Sequence, residues 1–285
     1  MSKLKIALQK KGRLSDKSLA LLNSCGIRIS SGSGKLKAVA SNFPIEVLFL
    51  RDDDIPQYVE QGVADIGIVG ENEMLEKGKE VDCIEQLGFS KCRMSLAIPR
   101  EANYEGLSFF QGKRVASSYP EILGRYFSEN GIKAQIEEIG GSVEIAPGIG
   151  LADGVFDIVS TGSTLLSNGL KEVETVLKSQ AVLIANPALT TDRQELLDQL
   201  LFRMRAVRSG KNNKYILLNA PNDAVSAISD LLPGMKSPTV LPLQQEGWSS
   251  IHSVVRENDF WEVIDKLRGL GAEGILVVPI EKMIA

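Results

Sequence analysis

Histidine and cysteine are scarce in this sequence of 285 residues. The single histidine, His252, excludes catalytic schemes that depend on a histidine cluster, and we expect it to be structural. The three cysteines, Cys25, Cys83 and Cys92, are sparse and odd in number. Because Cys83 and Cys92 lack zinc-site spacing and histidine partners, we expect free thiols in a reducing cytoplasm.

Long apolar runs and blocks of one charge are also absent from the sequence. No apolar segment approaches the roughly 20 residues that a membrane-spanning helix needs, and residues 1–9 (MSKLKIALQ) are too short and too charged for a signal peptide. The net charge is −4 with acids and bases interspersed, so neither nucleic acid nor an acidic membrane is an expected partner. A cytoplasmic enzyme or a small-molecule-binding protein remains.

Short apolar segments alternating with amphipathic ones occupy the first two-thirds of the sequence. This alternation predicts an α/β fold with mostly parallel sheets, and the length predicts two or three domains. We predict strands at Lys5–Leu8, Glu46–Leu50, Asp65–Val69, Arg93–Pro99, Arg114–Ser118, Phe156–Ser160 and Ala181–Ala185, and helices at Ser15–Cys25, Asp54–Gln61, Pro120–Asn130 and Asp192–Arg208. The last of these strands fits a chain that crosses to a second lobe and returns to the first.

The carboxyl-terminal part has a different order of predicted strands and helices. Its apolar segments, between Tyr215 and Pro279, follow the order βαββαβ, which is that of the ferredoxin-like fold. The polar stretch Ser209–Asn213 (SGKNN) predicts a linker before this domain. We expect Phe260 and Trp261 to lie in the core of the domain.

The predicted strand ends carry the residues most suited to binding. Ligands of open parallel sheets bind at the carboxyl ends of the strands. Those ends carry Gln9–Arg13, Arg51–Asp54, Gly70–Asn72, Ser117–Tyr119, Gly140–Glu144 and Ser160–Thr164. Glycines, hydroxyls, carboxylates and two arginines together suit a polyanionic ligand that is rich in hydroxyl groups.

The segment Ser160–Thr164 (STGST) follows a strand and precedes a predicted helix. Backbone amides at such a junction can hold a phosphate, because Gly162 lets the backbone approach and its hydroxylated neighbours donate further bonds. Asp153 or Asp157 could accept hydrogen bonds from sugar hydroxyls or reach a hydrated magnesium ion. A capped loop, with Thr161 as the cap, fits the residues equally well, since the Lys-Ser/Thr of a P-loop is missing.

The other strand ends leave similar alternatives open. Lys11–Arg13 suits a triphosphate, although a solvated loop fits as well. Asp52–Asp54 could form a metal or ribose site, or complement the dipole of a helix start. Ser117–Tyr119 reads as an anion nest or as a simple helix cap. Glu71, directly after a buried strand, is the better carboxylate candidate.

Eight segments in order carry a family resemblance that spans Ile6 to Ile284. They are IALQKKGRLS, LFLRDDDIP, VADIGIVGENE, KRVASSYP, GGSVEIAP, GLADGVFDIVSTGSTLLSNGL, SPTVLPL and FWEVIDKLRGLGAEGILVVPIEKMI. Together they resemble long-form ATP phosphoribosyltransferases. The terminal domain indicates the long form, as opposed to the short form that relies on a separate regulatory subunit.

The resemblance implies an architecture and a reaction. The expected fold is a two-lobed catalytic core similar to periplasmic binding proteins, with lobe I at 1–92 and 181–210 and lobe II at 93–180, followed by an ACT-like regulatory domain at 213–285. The family condenses ATP with 5-phosphoribosyl 1-pyrophosphate to phosphoribosyl-ATP and pyrophosphate, with magnesium carried by the substrate. A dimer that can form a hexamer, inhibition by histidine, and AMP as a further ligand are also implied.

The resemblance also implies roles for individual residues. Asp157 to Thr164 would cradle the 5′-phosphate, and Asp153 would contact the ribose hydroxyls. Thr239 would belong to the domain that binds histidine. The catalytic residues would be Arg13, Arg51 and Glu71, and the substrate-binding set comprises Gly12, Ser117, Tyr119, Gly141, Ser142, Glu144, Asp153, Asp157, Ser160, Thr161, Gly162, Ser163 and Thr164.

The expected mechanism matches a chain that has one histidine. A ring nitrogen of adenine already carries the lone pair that attacks the anomeric carbon, so no strong general base is needed. Catalysis would consist of positioning and of electrostatic stabilisation of the leaving pyrophosphate. The alternative is a ligand-sensing protein in which binding-protein lobes and an ACT-like domain bind amino acids without catalysis.

Overall fold

A computed structural model describes residues 3–29 and 36–284 of the chain. The chain divides into two compact units. One comprises residues 1–20 and 27–196, and the other comprises residues 21–26 and 197–285. Within the described residues, no helix is both long enough and apolar enough to span a membrane.

The strands are β1 (Leu4–Gln9), β2 (Lys37–Val39), β3 (Ile45–Leu50), β4 (Ile66–Gly70), β5 (Asp82–Gln86), β6 (Cys92–Pro99), β7 (Arg114–Ser117), β8 (Gln135–Glu138), β9 (Gly154–Val159), β10 (Leu170–Ser179), β11 (Ala181–Ala185), β12 (Asn213–Pro221), β13 (Thr239–Pro242), β14 (Trp248–Arg256) and β15 (Glu273–Pro279). The helices are α1 (Arg13–Ser24), α2 (Ile55–Glu60), α3 (Glu71–Lys77), α4 (Pro120–Glu129), α5 (Ser163–Ser167), α6 (Thr191–Asn212), α7 (Val225–Leu231) and α8 (Glu257–Gly269).

The first sheet has the strand order β2-β3-β1-β4-β11-β5. Its central strands β3, β1 and β4 are parallel, whereas β2 and β11 pair antiparallel to their neighbours. Strands β1 and β4 are almost fully buried, as expected for short apolar strands covered on both faces. The predicted return of Ala181–Ala185 is confirmed, because β11 pairs with β4 and β5 of this sheet.

The second sheet has the order β10-β6-β9-β7-β8. Strands β9, β7 and β8 are parallel, and β6 and β10 are added antiparallel at the other side. Phe110 and Phe156 are fully buried in the core of this lobe. The chain thus leaves the first sheet after β5, builds the second, and returns through β11. This is the predicted two-lobed arrangement of the periplasmic-binding-protein type.

A carboxylate from the first lobe completes a helix of the second. Glu76 in α3 is buried, and its two oxygens accept hydrogen bonds from the amides of Glu121 and Ile122, each at 3.0 Å. These amides belong to the first turn of α4, where the backbone donors lack partners within the helix. Glu76 therefore acts as the cap that the sequence of α4 does not itself supply.

The carboxyl-terminal domain confirms the predicted βαββαβ order. Its sheet has the order β13-β14-β12-β15, with every neighbouring pair antiparallel, and α7 and α8 contribute to the core. Phe260 is buried in that core as predicted. The prediction for Trp261 was wrong, since this side chain is 70% exposed. Adjacent residues of a helix point about 100° apart, so only one of the two faces inward.

The predicted linker is the end of a helix. Ser209–Asn213 (SGKNN) continues α6 almost to its last residue instead of forming a loop. A Cβ atom on Gly210 would lie 2.8 Å from the carbonyl oxygen of Ile280, and the amide of Met283 donates to the carbonyl of Ala206 at 2.9 Å. Gly210 is there because two backbone segments approach closely. Residues 197–212 of α6 belong to the compact unit that contains the terminal domain. Lobe I was predicted to extend to residue 210.

Candidate active site

A cavity of about 330 Å³ is lined by residues of both lobes. On the first lobe its walls are the junctions that follow β1, β3 and β4. On the second lobe the wall is the junction that follows β9, and the segment that crosses from β5 to β6 completes it. Every one of these junctions except the crossing lies at the carboxyl end of a parallel strand, where ligands of such sheets bind.

The β1–α1 junction forms a cationic wall. Gly12 has a φ of +108°, which only glycine adopts readily, and it lies before the first turn of α1. Arg13 and Lys17 both line the cavity, because residues four apart share one face of a helix. Cations at the positive end of a helix dipole are unfavourable on their own. A bound anion would relieve this repulsion.

The β4–α3 junction supplies a hydrogen-bonded carboxylate. Asn72 and Glu73 line the cavity. The hydroxyl of Tyr119 donates to Oε1 of Glu73 at 2.7 Å and accepts from Nδ2 of Asn72 at 3.3 Å. Burial raises the pKa of Glu73, the bond from Tyr119 opposes that rise, and the nearby Asp52 carboxylate adds to it. The pKa of Tyr119 is also raised, by burial and then by Glu73, so the phenol stays a donor at neutral pH.

Sequence reasoning selected Glu71, but the structure places Glu73 in the cavity wall. Glu71 begins α3, and its Oε1 accepts from Nε2 of Gln86 at 3.5 Å, beside β5. Two residues along a helix turn the side chain by about 200°, so the two carboxylates face different ways. The sequence shows that Glu71 and Glu73 lie two residues apart, but it does not show which face of α3 lines the cavity.

The crossing segment brings two unpredicted residues to the cavity. Ser90 has a φ of 52°, a left-handed conformation that costs a non-glycine residue about 1 kcal/mol or more. Its buried Oγ has no hydrogen-bond partner in the described part of the chain. Lys91 follows and lines the same cavity, as does Cys92, whose thiol pKa is raised by burial. Strain and an unpaired buried hydroxyl at one residue are typical of a ligand-facing position.

The loop after β9 is built without a side-chain cap. Gly162 takes a φ of +82° immediately before α5, and the hydroxyls of Thr161 and Ser163 lie 3.0 Å apart. The amide of Ser163 is 3.4 Å from Oγ1 of Thr161, which is a weak capping bond. Among the described residues, nothing accepts a hydrogen bond from the amides of Thr161 or Gly162. Because α5 has only five residues, any anion here must be held by the loop's own donors.

Arg93 of β6 holds the start of this loop, and sequence reasoning missed it. Its guanidinium forks onto both carboxylate oxygens of Glu172 and donates through Nη1 to the carbonyl of Ser160 at 3.2 Å. Ser95 donates to the same carboxylate at 2.7 Å. The bonds from Arg93 hold the pKa of Glu172 below its ordinary value. An arginine within an apolar strand carries no sequence signal for such a role.

Asp157 and Asp153 lie at different places on β9. Asp157 is two residues from its carboxyl end; burial raises its pKa, the amide of Ile158 opposes the rise, and Glu144 adds to it. Asp153 precedes the strand, where its Oδ2 accepts from the amide of Arg114 at 2.9 Å. A six-residue strand spans about 20 Å. Asp153 thus joins the start of β9 to β7, and its contact with the ribose stays a prediction.

Of the predicted residues of lobe II, Ser160 lines the cavity and the others are not part of its lining. Ser117 is fully buried; its hydroxyl donates to the carbonyl of Phe156 and accepts from the amide of Tyr119, both at 2.8 Å. That hydroxyl is turned into the lobe, which argues against contact with a ligand. Gly141, Ser142 and Glu144 follow β8 at the carboxyl edge of the sheet, and Ser142 has a φ of 51°.

Two predicted residues lie elsewhere. Arg51 is 79% exposed and pairs with Asp53 at 3.3 Å, outside the cavity wall. Thr239, in the terminal domain, pairs with His252 across β13 and β14. Thr239 and His252 line a second cavity of about 370 Å³ together with Tyr215. The hydroxyl of Tyr215 lies 2.7 Å from Nδ1 of His252.

The fold and the first cavity define a class of protein, a two-lobed enzyme whose cleft suits phosphorylated substrates. The sequence profile of the ATP phosphoribosyltransferase family matches residues 51–206, and that of the HisG C-terminal domain matches residues 210–282. The ATP phosphoribosyltransferases of Cytophaga hutchinsonii and Bacteroides thetaiotaomicron are both 59% identical to this chain over 281 residues, covering 99% of it and 98% and 99% of their own lengths. The chain belongs to the ATP phosphoribosyltransferase family.

A solved structure agrees with that assignment. The ATP phosphoribosyl transferase (HisG:HisZ) complex from Thermotoga maritima contains a chain 30% identical to this one, with a TM-score of 0.62, and the match covers 70% of this chain and 95% of that one. The additional terminal domain makes this chain the long form, as predicted. It is a pentosyltransferase that condenses ATP with 5-phosphoribosyl 1-pyrophosphate in the first step of histidine biosynthesis. The ligand-sensing alternative is thereby set aside.

Proposed function

We propose that the two walls of the first cavity divide the substrates between them. The loop Ser160–Thr164 binds the 5′-phosphate of 5-phosphoribosyl 1-pyrophosphate, and the cationic β1–α1 junction binds the polyphosphate groups. The observation that carries this proposal is that Gly12, Arg13 and Ser160 line one cavity of about 330 Å³. Positive charge lies on one side, and the two residues that follow Ser160 on the other side have backbone amides without an acceptor in the described residues.

The loop suits a terminal monophosphate. The amides of Thr161 and Gly162, together with the hydroxyls of Thr161, Ser163 and Thr164, can surround one phosphate without any cation. Asp157, at the carboxyl end of β9, is then the carboxylate nearest to the ribose and can accept hydrogen bonds from its hydroxyls. Burial is the main cause of the raised pKa of Asp157, and bonds from ribose hydroxyls would stabilise its charged form.

The cationic wall suits the groups whose charge changes during the reaction. Arg13, Lys17 and Lys91 line it, and the orphan hydroxyl of Ser90 adds a donor beside Lys91. As the bond from the anomeric carbon breaks, negative charge develops on pyrophosphate, so fixed cations bind the transition state more tightly than the ground state. The adenine ring nitrogen attacks with its own lone pair, and the residues position the two substrates in line. Arg51 and Glu71 are not part of the cavity lining, which gives them a smaller role.

Magnesium fits this cleft as an ion that arrives with the substrate. In residues 3–29 and 36–284, no group of three or more histidine, cysteine, aspartate or glutamate side chains is arranged to hold a metal. Asp52 and Glu73 line the cavity and could hold water molecules of a hydrated ion. When bound, magnesium neutralises part of the charge on pyrophosphate.

Ribose 5-phosphate tests the loop assignment directly, because it carries the 5′-phosphate and lacks pyrophosphate. Calorimetry should detect its binding to the wild type and its loss in Thr161→Val/Thr164→Val, while ATP binds both proteins equally. Each lost bond to a charged group is worth about 1.5–3 kcal/mol. Equal binding of ribose 5-phosphate to both proteins would show that this loop does not bind the 5′-phosphate.

We further propose that the second cavity binds histidine as a feedback inhibitor, with AMP as a further ligand of the enzyme. The supporting observations are the match of residues 210–282 to the C-terminal domain of the family and the 370 Å³ cavity that contains Thr239. Thr239→Val should raise the histidine concentration for half inhibition and leave the uninhibited rate unchanged. Unchanged inhibition would place the effector elsewhere. A deletion is the poorer test, because α6 packs on the terminal segment.

We also propose that the enzyme forms homodimers and hexamers in the cytoplasm. Strand β15 is an edge strand whose Leu276, Val277 and Val278 are 56%, 39% and 46% exposed, and Trp261 is also exposed. Exposed apolar edges of this kind are typical of surfaces that pair with another chain. Light scattering of Val277→Lys should show a smaller assembly than the wild type; an unchanged mass would exclude this edge.

A further inference from the structure

We infer that Arg93 is a positioning residue that presents the backbone amide of Thr161 to the 5′-phosphate. The inference rests on the proposed loop assignment and adds a residue that contacts no substrate. Arg93 acts through the peptide group between Ser160 and Thr161, and Glu172 keeps its guanidinium in place.

The guanidinium is fixed by acceptors on neighbouring strands. Arg93 lies in β6 between β10 and β9, where it pairs with Lys178 on one side and Val159 on the other. Two of its nitrogens bind Glu172 of β10, and the third donates to the carbonyl of Ser160 at the end of β9. Ser95, also in β6, holds the same carboxylate. This planar fork is a rigid arrangement that a lysine cannot reproduce.

The geometry of the peptide bond turns this contact into control of an amide. A trans peptide is planar, and its carbonyl and its N–H point in opposite directions. Because the Ser160 carbonyl accepts from Arg93, the amide of Thr161 points away from the Arg93 guanidinium. No residue in the described ranges accepts a bond from that amide. The donor is thereby oriented before any ligand binds, which is the arrangement that an anion site requires.

The positive charge of Arg93 does not by itself explain its proposed role in phosphate binding. Glu172 neutralises the guanidinium through a forked contact, and the lowered pKa of Glu172 keeps that partner ionised. The net charge presented to the phosphate is therefore small. A purely electrostatic role and the positioning role predict opposite results when Glu172 loses its charge.

Direct binding measurements on the full-length enzyme separate these accounts. Arg93→Lys retains the charge and loses the fork, so the Kd for ribose 5-phosphate should rise about tenfold, the worth of one hydrogen bond to a charged group. The Kd for ATP should change less than about twofold. The matched control is Arg114→Lys, because Arg114 also donates to a carbonyl, that of Gly150 at 3.0 Å, at the opposite edge of the same sheet. The control should leave both constants unchanged.

Glu172→Gln provides the second variant. It keeps an acceptor for Arg93 but leaves the guanidinium with an unbalanced positive charge. Positioning predicts weaker binding of ribose 5-phosphate, whereas an electrostatic role predicts tighter binding. Tighter binding in Glu172→Gln, or an unchanged Kd in Arg93→Lys, would overturn the inference. So would an equal loss of ATP and ribose 5-phosphate binding, which would indicate a general structural defect.

The result for Thr161→Val/Thr164→Val keeps the inference separate from the loop assignment. If that variant loses ribose 5-phosphate and Arg93→Lys does not, the loop binds phosphate without help from Arg93. If neither variant loses it, both the loop assignment and the role of Arg93 are wrong.

Discussion

In the proposed division of the cavity, two strand-to-helix junctions bind anions in different ways. The β1–α1 and β9–α5 junctions each contain a glycine in a left-handed conformation, Gly12 and Gly162, just before the helix. The first is surrounded by cations and precedes a helix of twelve residues. The second has hydroxyls, no cation, and a helix of five residues. One junction attracts charge from a distance, and the other fits one phosphate by directed bonds.

The difference matches the anions that the enzyme must handle. Polyphosphate carries several charges and part of it leaves as pyrophosphate, so a wall of several cations suits it. The 5′-phosphate does not react and serves to hold the ribose in place, which directed amides do well because their geometry is fixed.

The largest effect is expected when a cation is removed from the first junction. Arg13→Met keeps much of the side-chain volume and removes the charge that faces the leaving group, so kcat should fall about 100-fold. Steady-state kinetics at saturating substrates would measure it. Lys79→Met is a suitable control, since Lys79 forms a half-exposed pair with Glu60 elsewhere in the same lobe and should have little effect. A rate above one-third of the wild-type value would contradict the role of Arg13.

The two glycines provide a matched pair of substitutions. Gly12→Ala and Gly162→Ala both place a Cβ in a left-handed conformation, at a cost of roughly 1–2 kcal/mol. Gly162→Ala should raise the Kd for ribose 5-phosphate by up to about tenfold, whereas Gly12→Ala should leave that constant unchanged and raise the KM for ATP by a similar factor. If Gly12→Ala weakened ribose 5-phosphate as much as Gly162→Ala does, the division of the cavity into two walls would be wrong.

Salt should affect the two junctions unequally. Mobile ions screen exposed charges over about 8 Å at physiological ionic strength, whereas short directed bonds are less sensitive. Raising potassium chloride should therefore increase the Kd for ATP several-fold more than the Kd for ribose 5-phosphate. Parallel calorimetric titrations would show the ratio, and equal salt slopes would argue that both sites bind by charge.

The smallest predicted effect concerns stability. Burial raises the pKa of Glu73, so the folded protein holds this proton more tightly than the unfolded chain does. The resulting stabilisation is complete below the ordinary carboxyl pKa and is lost as the pH rises through the raised value. Glu73→Gln should consequently lose less stability than the wild type between acidic and neutral pH. Urea unfolding across that range is the measurement, and identical profiles would show that Glu73 does not titrate abnormally.

The sequence predicted the short apolar strands that are flanked by turn residues. It did not predict features that depend on contacts with segments distant in the sequence. Strand β10 lacks clear alternation because register shifts interrupt its pairing with β6, so no period revealed it. Gly210 was read as part of a flexible linker, although it serves a close approach that only the folded chain shows. Arg93 and Ser90 escaped notice because their roles depend on a carbonyl and a cavity supplied by distant segments.

Residues of the site that shared a junction were the most predictable. Arg13 and Gly12 stand together after a strand, and Ser160–Thr164 does so on the second lobe, so the rule of strand ends found both. Lys17 followed from Arg13 by helix spacing and could have been included. The contact of Asp153 with the ribose stays a prediction, because this residue precedes β9 whereas Asp157 lies near the carboxyl end of that strand.

Glu76 has a consequence for how the two walls are held apart. Rotating the lobes away from each other would strip the first turn of α4 of both bonds to this carboxylate and leave a buried charge without partners. The two lobes therefore resist opening at the contact between α3 and α4. The distance between the proposed ribose site and the proposed nucleotide site thus depends on Glu76, which need contact neither substrate.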